Sequence, residues 1–288
     1  LVREIPLREK LNMSDSENEY GTLHIERRDN VATVHMYNLT DGIVAGRKLD
    51  FHWEIAMALG ELRDDQDIRV VVLTGVKDGE FMVSPRTPHY EDPGALAGHN
   101  DPKGSWKIFN GIIRAHTTLT EMEKPVIARV NGDAAGFGQS LMFGCDLIIA
   151  REDARIADIH MGMGDVAPYG PPFALVPGDG GASLIPLYMS PALAKEYLML
   201  AKEYTAREMA DMHIINYAVP MDELDAKVDG IVAKLLEKPP LTLAWTKRSV
   251  NRYIADQHNR TLDAAAAYEM VNFLQWERAG YKQDMDFE

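Results

Sequence analysis

The sequence predicts an α/β core over residues 20–200 followed by a region built of helices alone. Three observations carry this expectation. Short β-branched runs closed by glycine, such as Val70-Val71-Val72-Leu73-Thr74-Gly75, read as strands buried on both faces. Segments with apolar residues at helical spacing alternate with those runs, the order expected of α/β proteins. Beyond residue 200 no strand pattern remains, and amphipathic segments follow one another across polar or proline-bearing joints.

Taken in order, residues 22–38 ("TLHIERRDNVATVHMYN") alternate apolar and polar positions on both sides of Arg28-Asp29-Asn30. That is a hairpin, with Leu23 and Ile25 on one arm and Ala32, Val34 and Met36 on the other. Residues 47–64 place Ile55, Leu59 and Leu62 at helical spacing. After the 70–74 strand and a loop over 81–104, "WKIFNGIIRAHTTLTEM" reads as helix; "KPVIARVNG" and "CDLIIARED" read as the next buried strands. Four helices are then expected over 206–214, 221–238, 239–257 and 259–276. Ser190-Pro191 and Glu237-Lys238-Pro239-Pro240 are breaks, because the residue before a proline is pushed out of the helical region. Such an appendage rarely covers its own apolar stripe, so it is expected to pack on the core or on neighbouring subunits. The organisation expected is a charged, mobile leader over 1–19, a core over 20–205 and a helical oligomerisation region over 206–288.

Composition narrows the function classes. The 288 residues are 46% hydrophobic and 26% charged, the balance of a chain with a real core. A net charge of −14 argues against non-specific binding of nucleic acid or of an anionic membrane, which needs a basic surface. No apolar run approaches the roughly 18–20 residues of a membrane span. The first residues lack the apolar stretch of a signal peptide, and Met13 is a candidate start. The single cysteine, Cys145, can form no internal disulfide, consistent with a reducing, cytoplasmic setting. No pair of His, Cys or carboxylate ligands has metal-site spacing, and the glycine turns lack the strand-to-helix context of a dinucleotide site; no cofactor is expected.

The stretch "KPVIARVNGDAAGFGQSLMFGCDLIIAREDARIADIH" resembles the crotonase, or enoyl-CoA hydratase/isomerase, superfamily, and the similarity continues through "LVPGDGGASLIPLYMS" and "EKPPLTLAWTKRSVN". The resemblance covers roughly residues 20–270 and implies a spiral of ββα turns with a C-terminal helical region that builds trimers, often paired as hexamers. It also implies an oxyanion hole, in which two backbone N–H groups grip a carbonyl oxygen and stabilise an enolate. By the family pattern the first donor position is Pro85, in "FMVSPR", and proline has no N–H. A shift of one residue would make Ser84 the donor. The second donor position is Phe137, in "GFG". The two glutamates that handle water in hydratases correspond here to Ser140 and His160. Without that carboxylate pair, adding water across an enoyl double bond lacks its acid and base.

What remains resembles the β-diketone hydrolase branch of the superfamily, which cleaves a C–C bond without CoA. The branch pattern implies His160, Asp179 in "PGDG" and His52 in "FHWEI" as the catalytic set, with an aspartate holding an imidazole that takes a proton from water. Two departures stand out: Phe137 replaces the branch's additional histidine, leaving enolate protonation unassigned, and an inserted "DVAPYGPPFA" separates His160 from Asp179 by 19 positions. Each residue also has a plainer reading. His160 could be a buried histidine satisfied by backbone, and Asp179 a turn residue capping N–H groups. His52 could be core packing, and the loop residues His89 and Tyr90 either line the pocket or are solvated. The leading expectation, implied by that resemblance, is an enzyme that hydrolyses a C–C bond of a β-diketone by a retro-Claisen reaction, with water activated by His160 and Asp179. The alternatives are an enzyme acting on a CoA thioester, and a non-catalytic scaffold of the same fold.

Overall fold

The computed structural model describes residues 20–37, 41–44, 47–76, 79–83, 102–162 and 174–278. Ser84, Pro85, His89 and Tyr90 lie outside the described residues, as do the leader over 1–19 and residues 163–173, which take in all of the inserted segment but Ala174.

Leu23–Arg28 (β1) and Val31–Met36 (β2) form the expected hairpin, with Leu23 opposite Met36. Asp29 takes the left-handed turn at φ 53°, a conformation that short Asx side chains tolerate. Asp41–Val44 (β3) pairs with Arg47–Asp50 (β4), so residues 47–50 are strand where helix is expected. The reason is local: the Asp50 side chain accepts the Trp53 N–H at 3.0 Å and starts helix α1 at Phe51–Asp64.

The core is a repeating path. Val70–Gly75 (β5) leads to Gly79–Met82 (β6) and helix α2, Pro102–Glu121. Val126–Val130 (β7) leads to Gly132–Ala135 (β8) and helix α3, Phe137–Gly144. Leu147–Arg151 (β9) leads to Arg155–Ala157 (β10). In each turn the first strand joins one sheet and the second joins another. Asn131, at the corner between β7 and β8, fastens adjacent turns. Its Oδ1 accepts the Gly75 N–H at 2.9 Å and the Thr74 hydroxyl at 3.2 Å, while its Nδ2 donates to the Glu80 carbonyl at 3.1 Å. The V-N-G motif is therefore a corner piece.

After β10 come Gly181–Tyr188 (α4), Pro191–Met199 (α5), Glu203–Thr205 (β11), Ala206–Asp211 (α6), Tyr217–Val219 (β12), Met221–Leu236 (α7) and Pro240–Arg278 (α8). One sheet has the order β1-β2-β5-β7-β9-β12, parallel except at the β1–β2 hairpin; a second has the order β11-β10-β8-β6. Two expectations are corrected here. Strand pairing does not stop at residue 200, because β11 and β12 close the two sheets. Each is three residues long, too short for any periodicity to be read. The segments 239–257 and 259–276 are one helix of 39 residues, since the polar joint His258-Asn259-Arg260 contains no breaker and His258 is buried.

Helix α8 packs against α2 and α4, returning the C-terminal part of the chain to the core. Among the described residues no helix is long and apolar enough to cross a membrane. Cys145 is buried and unpaired.

Candidate active site

His160 opens a 3-10 turn, His160–Gly162, directly after β10. Asp158, two residues earlier, accepts both the backbone N–H of His160, at 3.2 Å, and its ring nitrogen Nδ1, at 2.7 Å. The opposite ring nitrogen, Nε2, lies 3.3 Å from Asp179 Oδ2 and 3.7 Å from Glu269 Oε1. All four side chains are buried.

The inserted segment does not separate the pair. The Leu175 N–H bonds the His160 carbonyl at 2.8 Å, so the chain re-enters beside the point where it left. An excursion whose ends meet leaves the framework in place. From there "VPGDGG" turns Asp179 inward. The turn needs Gly180 at φ 129°, a conformation that L side chains rarely adopt. Among the described residues Asp179 caps no backbone N–H group, the plainer reading of a carboxylate in such a turn; its Oδ1 accepts the Ser140 hydroxyl at 2.8 Å. Ser140 itself is fully buried, so it serves Asp179.

Helix α8 lies over this turn. Asn272 Oδ1 accepts the Val176 N–H at 3.1 Å and Trp276 donates to the Ala174 carbonyl at 2.6 Å. That placement brings Glu269 against His160. Glu269 Oε2 is buried with no hydrogen-bond partner among the described residues. Phe137 opens α3 after Gly136 at φ 56°, and the first N–H groups of a helix have no partner within it. The Phe137 ring packs on His52, with centroids 4.7 Å apart, and on Phe51 and His116. His52 is half-buried on α1, with Nδ1 3.4 Å from Asp50 Oδ1, and its charge is felt by Glu269.

The electrostatics follow from three carboxyl groups around one imidazole. Burial alone would lower the affinity of His160 for its second proton, but Asp179 and Asp158 outweigh it and hold the group well above the usual histidine range. Burial would likewise raise Asp179, but the adjacent imidazolium, with the Ser140 bond, holds it below the usual carboxylate range. Burial pushes Glu269 up to about 8, with Asp179 and Asp158 adding to the shift against the opposing charges of His160 and His52. At neutral pH the raised His160 is therefore an imidazolium, the lowered Asp179 a carboxylate and the raised Glu269 a carboxylic acid.

Asp158, His160 and Asp179 are close enough together to be weighed as a cation site. The two ring nitrogens sit on opposite edges, each against a different carboxylate, so one ion reaches only one of them. A proton on each nitrogen fits both contacts.

Sequence reasoning found His160 and Asp179 and missed Asp158, Glu269 and His116. Asp158 was accessible as Asp-x-His at a strand end, where i and i+2 share a face. Glu269 and His116 reach the site from helices remote in the chain, with no local signal.

Two expected results arise from this packing. A Cβ added at Gly181 would lie 1.9 Å from Asp158 Oδ2. Gly181→Ala should therefore push that carboxylate off His160, costing about 1–3 kcal/mol of stability and about tenfold or more in turnover. Denaturant titration and kinetics on one preparation check both. His258 on α8 meets Ser183 Oγ through Nδ1 at 2.8 Å, and burial, with His116 nearby, pushes it down to about 3. Its neutral form thus stabilises the fold fully above pH ~6.5. Below that the unfolded chain takes a proton that the folded chain refuses, at about 1.4 kcal/mol per pH unit. His258→Asn should flatten the acid limb of stability against pH, measured by urea midpoints between about pH 7 and 4.

The enoyl-CoA hydratase/isomerase family model matches residues 47–278, and the chain belongs to that family. Crotonyl-CoA hydratase of Syntrophomonas wolfei is 27% identical over 247 residues, covering 86% of this chain and 88% of that protein. An enoyl-CoA hydratase/isomerase structure from Mycobacterium paratuberculosis is similar at TM-score 0.75 and 25% identity, covering 89% of this chain and 96% of that one. A β-diketone hydrolase from the cyanobacterium Anabaena, bound to (S)-3-oxocyclohexyl acetic acid, matches at TM-score 0.75 and 24% identity over 92% of this chain and 99% of that one. At that identity the last likeness concerns the fold alone. Together with the buried acid–base cluster, these matches define a crotonase-superfamily enzyme.

Proposed function

We propose that the protein hydrolyses a C–C bond of a β-diketone by a retro-Claisen reaction, without CoA. The observation that supports this most is the buried cluster itself. The imidazole of His160 meets Asp179 at 3.3 Å, while the family resemblance implies that Ser140 and His160 stand where a hydratase carries its two glutamates. Water placed against Asp179 and the Nε2 edge attacks one carbonyl carbon and gives its proton to the Asp179 carboxylate, beside the His160 imidazolium. Collapse of the adduct breaks the bond to the central carbon, whose electron pair is held as an enolate with its oxygen toward the Phe137 N–H. The Glu269 carboxylic acid then protonates that carbon, the step left unassigned by the sequence. The products are a carboxylic acid and a ketone, joined in one molecule when the substrate is cyclic.

The sequence relatives favour a second reading, a hydratase- or isomerase-type reaction on an acyl-CoA thioester. Incubation with cyclic and linear 1,3-diketones in ¹⁸O-water distinguishes the two. Our reading expects one ¹⁸O in the new carboxylate and no specific retention of crotonyl-CoA in equilibrium dialysis. No diketone turnover, with saturable crotonyl-CoA binding, replaces it with the thioester reading. Failure of both substrate classes returns the scaffold reading.

A further inference from the structure

We propose that His116, on α2, is a positioning residue that sets the Asp179 carboxylate by holding the backbone of its turn in one neutral tautomer. His116 is fully buried. Its Nε2 lies 2.7 Å from the Asp179 carbonyl oxygen. A carbonyl only accepts, so Nε2 carries the hydrogen and Nδ1 the lone pair. Nδ1 is buried with no hydrogen-bond partner among the described residues. Packing alone would favour an aliphatic side chain there, because an orphaned ring nitrogen is a cost that leucine avoids. What leucine cannot supply is the N–H to residue 179.

The ring also occupies the space a side chain at Gly180 would need. A Cβ there would lie 2.4 Å from His116 Nε2 and 3.0 Å from Ser140 Cβ. Asp179 is thus held at three points: its carbonyl by His116, Oδ1 by Ser140 and Oδ2 by His160. Releasing the carbonyl frees that peptide to rotate and carries the carboxylate with it. The same ring meets Phe137 edge-on at 5.9 Å, so one residue braces both the Asp179 turn and the start of α3. From behind, His258 lies 5.8 Å away and is itself tied to Ser183. Burial keeps His116 neutral, so it adds no second cation beside Asp179.

The kinetic consequence rests on the proposed role of the Asp179–His160 pair, so the test has one arm that needs no substrate. In ¹⁵N NMR at neutral pH, His116 should be the neutral Nε2–H tautomer, and His116→Leu should lower the titration midpoint of His160. In kinetics, His116→Leu should lower kcat by about 10²-fold with little change in KM. His116→Gln, whose Nε2 reaches the same place, should restore most of the loss. His116→Asn, whose amide mimics the other ring nitrogen, should not. Equal impairment of Gln, Asn and Leu variants, or an unchanged His160 titration in a folded His116→Leu protein, overturns the proposal. If the wild type turns over no diketone, the proposed function falls, and the NMR arm still decides the positioning role.

Discussion

Replacing His160 by alanine should lower kcat/KM on a β-diketone by about 10³–10⁴, the scale of losing a central acid–base residue together with the charge it stabilises. The same change should destabilise the fold by about 3–5 kcal/mol, because it removes the cation between buried carboxylates. His160→Gln, which keeps more of the volume, provides the second variant if alanine fails to fold. The pH dependence fixes the origin of the stability loss. His160 binds its second proton more tightly when folded than its ordinary value near 6.5, so its contribution is fully present below that value and is lost as pH rises through the raised folded value. The penalty for either variant should therefore be larger at pH ~6 than at pH ~9. Urea titrations at both pH values check this, and an equal penalty would reduce His160 to packing.

The parts of this chain that could be read in advance are those whose signal is local. The buried strands β5, β7 and β9 announce themselves as β-branched runs, and the capped start of α1 differs from the expected start by the length of a short strand. β11 and β12 escaped because a three-residue edge strand is specified by its neighbour rather than by its own pattern. The site divides along the same line. His160 and Asp179 sit in short motifs, so their positions were legible though their protonation was not. That depends on Asp158, on Ser140 and on a glutamate 90 positions beyond Asp179, all converging through tertiary packing. A pKa belongs to a neighbourhood.

Glu269→Gln tests that neighbourhood with an expected result of opposite sign for activity and for stability. Glutamine keeps the shape and can still donate a hydrogen bond, but it has no acidic proton to deliver to an enolate carbon. Turnover should fall by about 10²–10³, within the span of general-acid contributions. The limb of the pH–rate profile above about 8, where the wild-type acid ionises, should vanish from what remains. Stability should move the other way. Between the unfolded value of 4.5 and about 8, the folded chain holds a proton that the unfolded chain releases, so the wild type loses stability as pH rises through that window. At about 1.4 kcal/mol per unit over the roughly 2.5 units from 4.5 to neutral pH, glutamine should recover on the order of 3 kcal/mol at neutral pH and nothing below pH ~4. An inactive variant that is also less stable at pH 7 would make Glu269 a structural partner of His160. A variant that is more stable and less active identifies a buried acid kept, at a cost to the fold, for the proton it delivers.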